Sequence, residues 1–283
     1  MTGRSLRAGL IQTCAGPDPA ANLAETSRLI RRAAAEGADL VLTPEVTNIV
    51  TFSRRRQAEV LRTEAEDPTL AGLRELAAEL GVWLLAGSLA LKAEGDPRFA
   101  NRSFLIDAGG RIAARYDKIH MFDVEIGEGE SYRESSAYRP GERAVVADTP
   151  WGRLGLTICY DLRFPALYRS LAEAGAEILT VPSAFTQPTG AAHWHALLRA
   201  RAIETGCFVL APAQTGTHPA PEGERVRKTY GHSLAVGPWG EVLADGGEAV
   251  GAVCVDLDLS AVAAARAKVP SLANARPFAA PGG

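Results

Sequence analysis

The sequence is short of cysteine, lysine and long apolar runs, and each shortage excludes something. Its four cysteines, Cys14, Cys159, Cys207 and Cys254, form no CxxC and no pair at metal-ligand spacing, so no thiol metal site is expected. Free thiols fit a reducing, cytoplasmic setting. No apolar stretch approaches the ~18 residues of a membrane span, and the N-terminus lacks the apolar region of a signal peptide. Charge of either sign is not in excess. The net charge of −3 gives no basic surface for nucleic acid. Only Lys92, Lys118, Lys228 and Lys268 are lysines among 30 basic residues, so a lysine here marks a place where a compact ammonium is wanted over a guanidinium.

The remaining composition is ordinary for a globular protein: 47% hydrophobic and 22% charged over 283 residues, enough to bury a core without staples. No repeat, low-complexity stretch or linker interrupts the chain. Residues 1–283 are expected to form a single domain, with a core over about 6–270 and a tail over 271–283.

Periodicity predicts strands at Leu6–Thr13, Asp39–Thr43 and Val82–Ala86, separated by amphipathic helices at Asn22–Ala35 and Asp67–Leu80. Asp67, Pro68 and Gly81 supply an N-cap, a first-turn proline and a C-terminal stop for the second helix. Asp107-Ala108-Gly109-Gly110 reads as a hairpin turn between Asn101–Ile106 and Arg111–Tyr116. Met121–Gly141 reads as a long irregular acidic loop, a length that is usually functional. A second hairpin, turning at Pro150–Arg153, leads into Gly155–Ile158. Helices at Phe164–Ala174, Ala192–Thr205 and Leu259–Lys268 alternate with strands at Glu177–Val181, Cys207–Ala211, His232–Val236, Glu241–Ala244 and Val250–Asp256. Gln214–Lys228 reads as a polar loop. This mixture of βα units and hairpins is not a plain doubly wound sheet. Two sheets face to face with helices outside fit it better.

Three residues follow predicted strands and together have the chemistry of thiol-based amide hydrolysis. Cys159 lies at a strand-to-helix turn, where a helix N-terminus and free N–H groups would favour thiolate. Glu45 is placed as a general base for the thiol and later for water. Lys118, with the Tyr160 N–H, is placed to hold the tetrahedral oxyanion. Each alone has a bland reading: a small buried thiol, a solvated carboxylate and a surface lysine.

The segments Thr43–Glu45, Tyr116–Ile126, Gly155–Pro165, Pro182–Glu204 and His232–Gly247 resemble the nitrilase superfamily of carbon–nitrogen hydrolases in order and residue type. The resemblance runs from about Leu6 to Pro270. It implies a four-layer α-β-β-α sandwich of two mixed six-stranded sheets with helices outside. It also implies a Glu–Lys–Cys triad of Glu45, Lys118 and Cys159, a thioester intermediate, a homodimer or higher homo-oligomer, and no metal or organic cofactor. The family's second glutamate maps to Glu134, with Glu130 as the alternative. The stretches around HMFDVEI, PSAF and HW…LLRARAIE resemble amidases acting on deaminated glutathione. The nearest other branch is the ω-amidases that act on α-ketoglutaramate.

Such carboxylate-bearing amides need cationic anchors, for which Arg163, Arg199, Arg201 and Arg227 are candidates. Tyr160, Phe185 and Trp194 are candidate pocket walls. Two departures stand out: Val46-Thr47-Asn48 lacks an aromatic residue that many relatives place there, and the tail Leu272–Arg276 keeps only Arg276 of a basic cluster. A Cys–His hydrolase using His120, a true nitrilase and a non-catalytic ligand-binding member are the rival readings.

Overall fold

The computed structural model describes residues 4–127 and 130–281; the side chains of residues 127 and 130 lie outside the description. Two six-stranded sheets dominate. Edge to edge, the first holds β16 (Gly251–Asp258), β1 (Ser5–Gln12), β2 (Leu40–Leu42), β3 (Trp83–Lys92), β4 (Phe99–Ile106) and β5 (Ile112–Asp117). The second holds β15 (Val242–Asp245), β14 (Leu234–Val236), β11 (Phe208–Ala211), β10 (Ile178–Thr180), β9 (Gly152–Leu156) and β8 (Val145–Thr149). Both are mixed: β1–β2–β3 and β9–β10–β11 pair in parallel, while the flanking strands run antiparallel.

The period-2 alternation of the strands sets the layers. Leu6, Ala8, Leu10, Leu42 and Leu85 share one cluster with Leu154, Leu156 and Leu179, so the sheets pack face to face. The alternate residues Ile11, Val41, Leu84 and Phe104 turn the other way. They pack against Leu29 and Ile30 of α1 (Pro19–Ala35) and Leu73 and Leu76 of α3 (Pro68–Leu80). On the second sheet, α4 (Pro165–Glu173) and α5 (Gln187–Thr205) contribute Leu171, Trp194 and Leu198 to the first cluster. Each fully buried leucine here contributes roughly 2 kcal/mol from the apolar surface removed from water. The layers are therefore helix, sheet, sheet, helix, the sandwich expected. The last helix, α6 (Ser260–Lys268), follows β16. No helix among the described residues is long and apolar enough to cross a membrane.

Local signals place the helix ends. The Asp67 carboxylate accepts the Leu70 N–H at 2.8 Å ahead of Pro68, and α3 stops at Gly81 with φ +66°. Asp18 caps α1 in the same way, so that helix starts earlier than its apolar pattern does.

Three segments differ from the sequence reading. Within 121–141 the chain forms a hairpin of β6 (Asp123–Gly127) and β7 (Glu130–Arg133), then a 3-10 turn at Glu134–Ser136. The polar loop at 214–228 begins with β12 (Thr215–Thr217) and ends at β13 (Lys228–Tyr230), which pair with each other. Both hairpins are short, and only β6, with Val124 and Ile126 alternating with Asp123 and Glu125, carries a brief apolar alternation. Helix α2 (Arg54–Val60) buries only Gln57 and shows no apolar stripe.

Gly87 on β3 is required by a close approach. A Cβ there would collide with the carbonyl oxygens of Thr43 and Pro44 and with the Pro182 ring. It lets the segment that leads into Glu45 lie directly against the neighbouring strand.

Candidate active site

Glu45, Lys118 and Cys159 each sit just beyond the C-terminal end of a strand: β2, β5 and β9. Glu45 is 4% exposed and Lys118 is 2% exposed. The backbone around Glu45 is pinned. The Val46 N–H donates to Ser88 Oγ at 2.8 Å, and Gln214 Nε2 donates to the Glu45 carbonyl at 3.0 Å. Val46 takes φ +46°, a conformation that a β-branched residue adopts only under tight local constraint. Lys118 is fixed by its N–H to the Asn101 carbonyl at 2.9 Å and by the Gly141 N–H donating to its own carbonyl at 2.7 Å.

The Lys118 ammonium donates to Glu45 Oε1 at 2.9 Å and to both Glu134 oxygens at 2.9 and 2.8 Å. Glu134 thus joins the site through the 3-10 turn after β7, and the Phe122 N–H donates to its Oε2 at 2.6 Å. The side chain of Glu130, the alternative, lies outside the described residues. Asn101 Nδ2 donates to Glu45 Oε1 at 3.0 Å, and the Ala184 N–H to Glu45 Oε2 at 2.9 Å. So deep an ammonium persists only when paired. Burial opposes its charge, but Glu134 and Glu45 outweigh that and hold Lys118 well above the usual lysine range. For Glu45, burial pushes the carboxyl up. Lys118, the thiol of Cys159 and the charge of Arg227 outweigh it, and Glu45 lies below the usual carboxylate value.

Cys159 corrects one expectation. It does not open an α-helix but a short 3-10 segment, Cys159–Arg163, and α4 begins only at Pro165. A helix dipole acts mainly within its first turn, so α4 gives the thiol little. The Cys159 N–H is spent on the Pro182 carbonyl at 2.9 Å. Burial, then the Glu45 charge, push the thiol well above its ordinary value against the pull of Lys118. Both directions favour a thiol beside a carboxylate over a free thiolate. Cys159 has φ +50°. Its turn is tied down by Asp161, which accepts the Ile158 N–H at 2.9 Å, the His120 N–H at 3.0 Å and the Tyr116 hydroxyl at 2.7 Å.

These groups form the floor of a cleft of about 330 Å³. Tyr160 and Phe185 line it; Arg163 and Trp194 do not. Trp194 packs behind Phe185 at a 4.8 Å ring separation and donates its indole N–H to the His232 carbonyl. Arg163 lies over Phe185, 5.6 Å from the ring centroid, and meets His193. Arg199 and Arg201 serve the fold, bonding the carbonyls of Gly240 and Leu162. Arg227 does line the cleft. One of its N–H groups donates to the Ala184 carbonyl at 2.8 Å, while its buried Nε has no partner among the described residues. Arg225 closes the rim, stacked over Phe52 and Tyr132. His120 stands outside, stacked on Phe164 at 3.5 Å with Nδ1 2.7 Å from Asp161.

Asn101, Asp161 and the Arg225 rim escaped the sequence reading. An asparagine whose side chain is buried within a strand and an aspartate inside ICYDLRF were the available signals.

The profile of the carbon–nitrogen hydrolase family matches residues 7–267. A deaminated glutathione amidase of Yersinia enterocolitica is 43% identical over 279 residues, covering 96% of this chain and 94% of that protein. The crystal structure of the Caenorhabditis elegans NitFhit protein is similar with a TM-score of 0.89 at 37% identity. The match covers 98% of this chain and 66% of that longer one. A glutamate-to-glutamine variant of the Nesterenkonia sp. AN1 amidase, bearing acrylamide on its active-site cysteine, is similar at 29% identity and a TM-score of 0.76. That match covers 94% of this chain and 98% of the other.

Proposed function

This chain belongs to the carbon–nitrogen hydrolase family and is an amidase, and we propose that it cleaves deaminated glutathione through a thioester on Cys159. The observation that carries the reading is the convergence of Glu45, Lys118, Glu134 and Cys159 at the floor of one cleft. As the Cys159 sulfur attacks the amide carbonyl, its proton passes to Glu45. Lys118 and the Tyr160 N–H hold the oxyanion. The oxyanion collapses, the C–N bond breaks, and Glu45 gives its proton to the departing amine. Water then attacks the thioester; Glu45 takes a proton from it, the carboxylic acid leaves, and the proton returns to sulfur. Glu134 holds Lys118 in place throughout.

Deaminated glutathione carries carboxylates that want cationic partners, and the unpartnered Nε of Arg227 in the cleft wall supports that substrate class. The test is a panel of deaminated glutathione, α-ketoglutaramate and an aliphatic nitrile, following release of the amine or ammonia. The expected order puts deaminated glutathione first. Arg227→Ala is expected to lower its kcat/KM roughly 10- to 100-fold, the worth of a charge-assisted hydrogen bond, and to spare the nitrile. Preference for α-ketoglutaramate would make the enzyme an ω-amidase. An equal loss on the nitrile would remove Arg227 as the carboxylate anchor.

The four free thiols support a cytoplasmic location. Exposed Ile203, Trp239 and Val269 support a homodimer. Light scattering is expected to give at least twice the 29.9 kDa chain mass, and a monomer would remove that part of the reading.

A further inference from the structure

We infer that His195, His232 and Asp245 form a site for a transition-metal dication, with zinc as the type ion. The three come from separate elements: His195 from α5, His232 from the link between β13 and β14, and Asp245 from the end of β15. None lines the catalytic cleft. One ligand atom from each lies within 4.8 Å of the others. Both imidazoles turn to the Asp245 carboxylate: His195 Nε2 lies 3.1 Å from Oδ2, and His232 Nδ1 lies 2.9 Å from Oδ1 and 3.1 Å from Oδ2. Two donors on a tetrahedral zinc, each about 2.0–2.2 Å from the ion, stand roughly 3.3 Å apart. The cluster therefore reaches ligand spacing with shifts of tenths of an ångström at its His–Asp edges. Each imidazole would bind through the nitrogen that now faces Asp245 and carry its proton on the other.

The supporting contacts are those of a held site. Asp245 Oδ1 accepts the Gly247 N–H at 2.8 Å. The His232 backbone, at φ +56°, is clamped by its N–H to the Gly247 carbonyl and by the Trp194 indole on its own carbonyl at 2.8 Å. Tyr230 stacks on the His232 ring at 4.5 Å. Such outer contacts orient ligands before the ion arrives. The side chains stay 21–36% exposed, which leaves a fourth position to water. Two imidazoles and one carboxylate select zinc, cobalt or nickel over magnesium or calcium. The ion would fasten α5 to the β14–β15 hairpin, beside the tryptophan that backs Phe185.

The test uses the full chain carrying Cys159→Ala, so that the active thiol takes no metal. Metal-stripped protein is dialysed against zinc chloride with a magnesium control, and bound zinc is counted. One zinc per chain is expected, with a rise in Tm on the order of 5 °C at saturation and none with magnesium. His195→Ala and Asp245→Asn, added singly, are each expected to weaken zinc at least about 100-fold while melting like the parent in chelator. Cobalt should give the weak visible bands of nitrogen and oxygen ligands without thiolate charge transfer. Absence of bound zinc, zinc retained by both variants, or a thiolate band from Cys14 or another cysteine would each overturn the site.

Discussion

Cys159→Ala is expected to lower kcat by at least about 10⁴-fold while leaving KM within a few-fold, because it removes the atom proposed to form the covalent intermediate and little else. Lys118, Glu45 and Glu134 remain bonded to one another in the variant, so the cleft keeps its shape and charge. Mass spectrometry of the wild-type chain quenched during turnover should find the acyl group on the peptide that carries Cys159. Turnover surviving the substitution, or an adduct on another residue, would sink the thiol mechanism.

The same chemistry fixes the pH profile. Burial and Glu45 raise the thiol, while Lys118, Cys159 and Arg227 lower Glu45 against burial, and the proposed mechanism starts from thiol and carboxylate accordingly. Activity is then lost on the acid side as Glu45 takes a proton below the ordinary value of 4.5, with no limb near the ~6.5 of an unperturbed histidine. A limb at that histidine value would bring back a Cys–His mechanism.

What the sequence made legible is what local chemistry encodes. Asp67, Pro68 and Gly81 bracket α3 because caps and stops act within one turn. Leu6, Ala8 and Leu10 show one face of β1 because a strand alternates. Glu45, Lys118 and Cys159 were visible because each follows a strand end; for Glu45 and Cys159 these are strands of the parallel core, where α/β sheets leave their ligands room. What stayed hidden is made by distant residues. The field on the Cys159 thiol includes a carboxylate 114 positions earlier in the chain, which a local reading of a helix start does not contain. Arg227 and Arg163 looked equivalent as arginines; only the path of the chain from β12 to β13 puts the first in the cleft wall. The histidines of the α5–β15 cluster carried no spacing signal, since three elements bring them together.

Lys118→Met should have the second large effect, and on stability as well as on rate. Methionine has a similar length and no charge, so Glu45 and Glu134 would face each other in a buried site without their cation. Losing the oxyanion donor costs on the order of 10²–10³ in kcat. Leaving a buried charge unpaired costs about 3–5 kcal/mol near neutral pH. In the wild type, Glu45 lies below its unfolded value, so it adds stability above that value and the gain is lost as the pH falls through the folded one. Lys118 lies above its unfolded value, so its contribution is complete below that value and lost only at strongly alkaline pH. In the variant Glu45 loses the cation that outweighed its burial, so burial beside the Glu134 charge drives its folded value above the unfolded one. Its penalty then grows as the pH rises and relaxes as it takes a proton. The Tm gap between wild type and variant should be wide at pH 8 and narrow toward pH 5. A gap that stays constant across that range would mean that Lys118 supports the fold by packing alone, and that Glu45 does not depend on it to keep its charge.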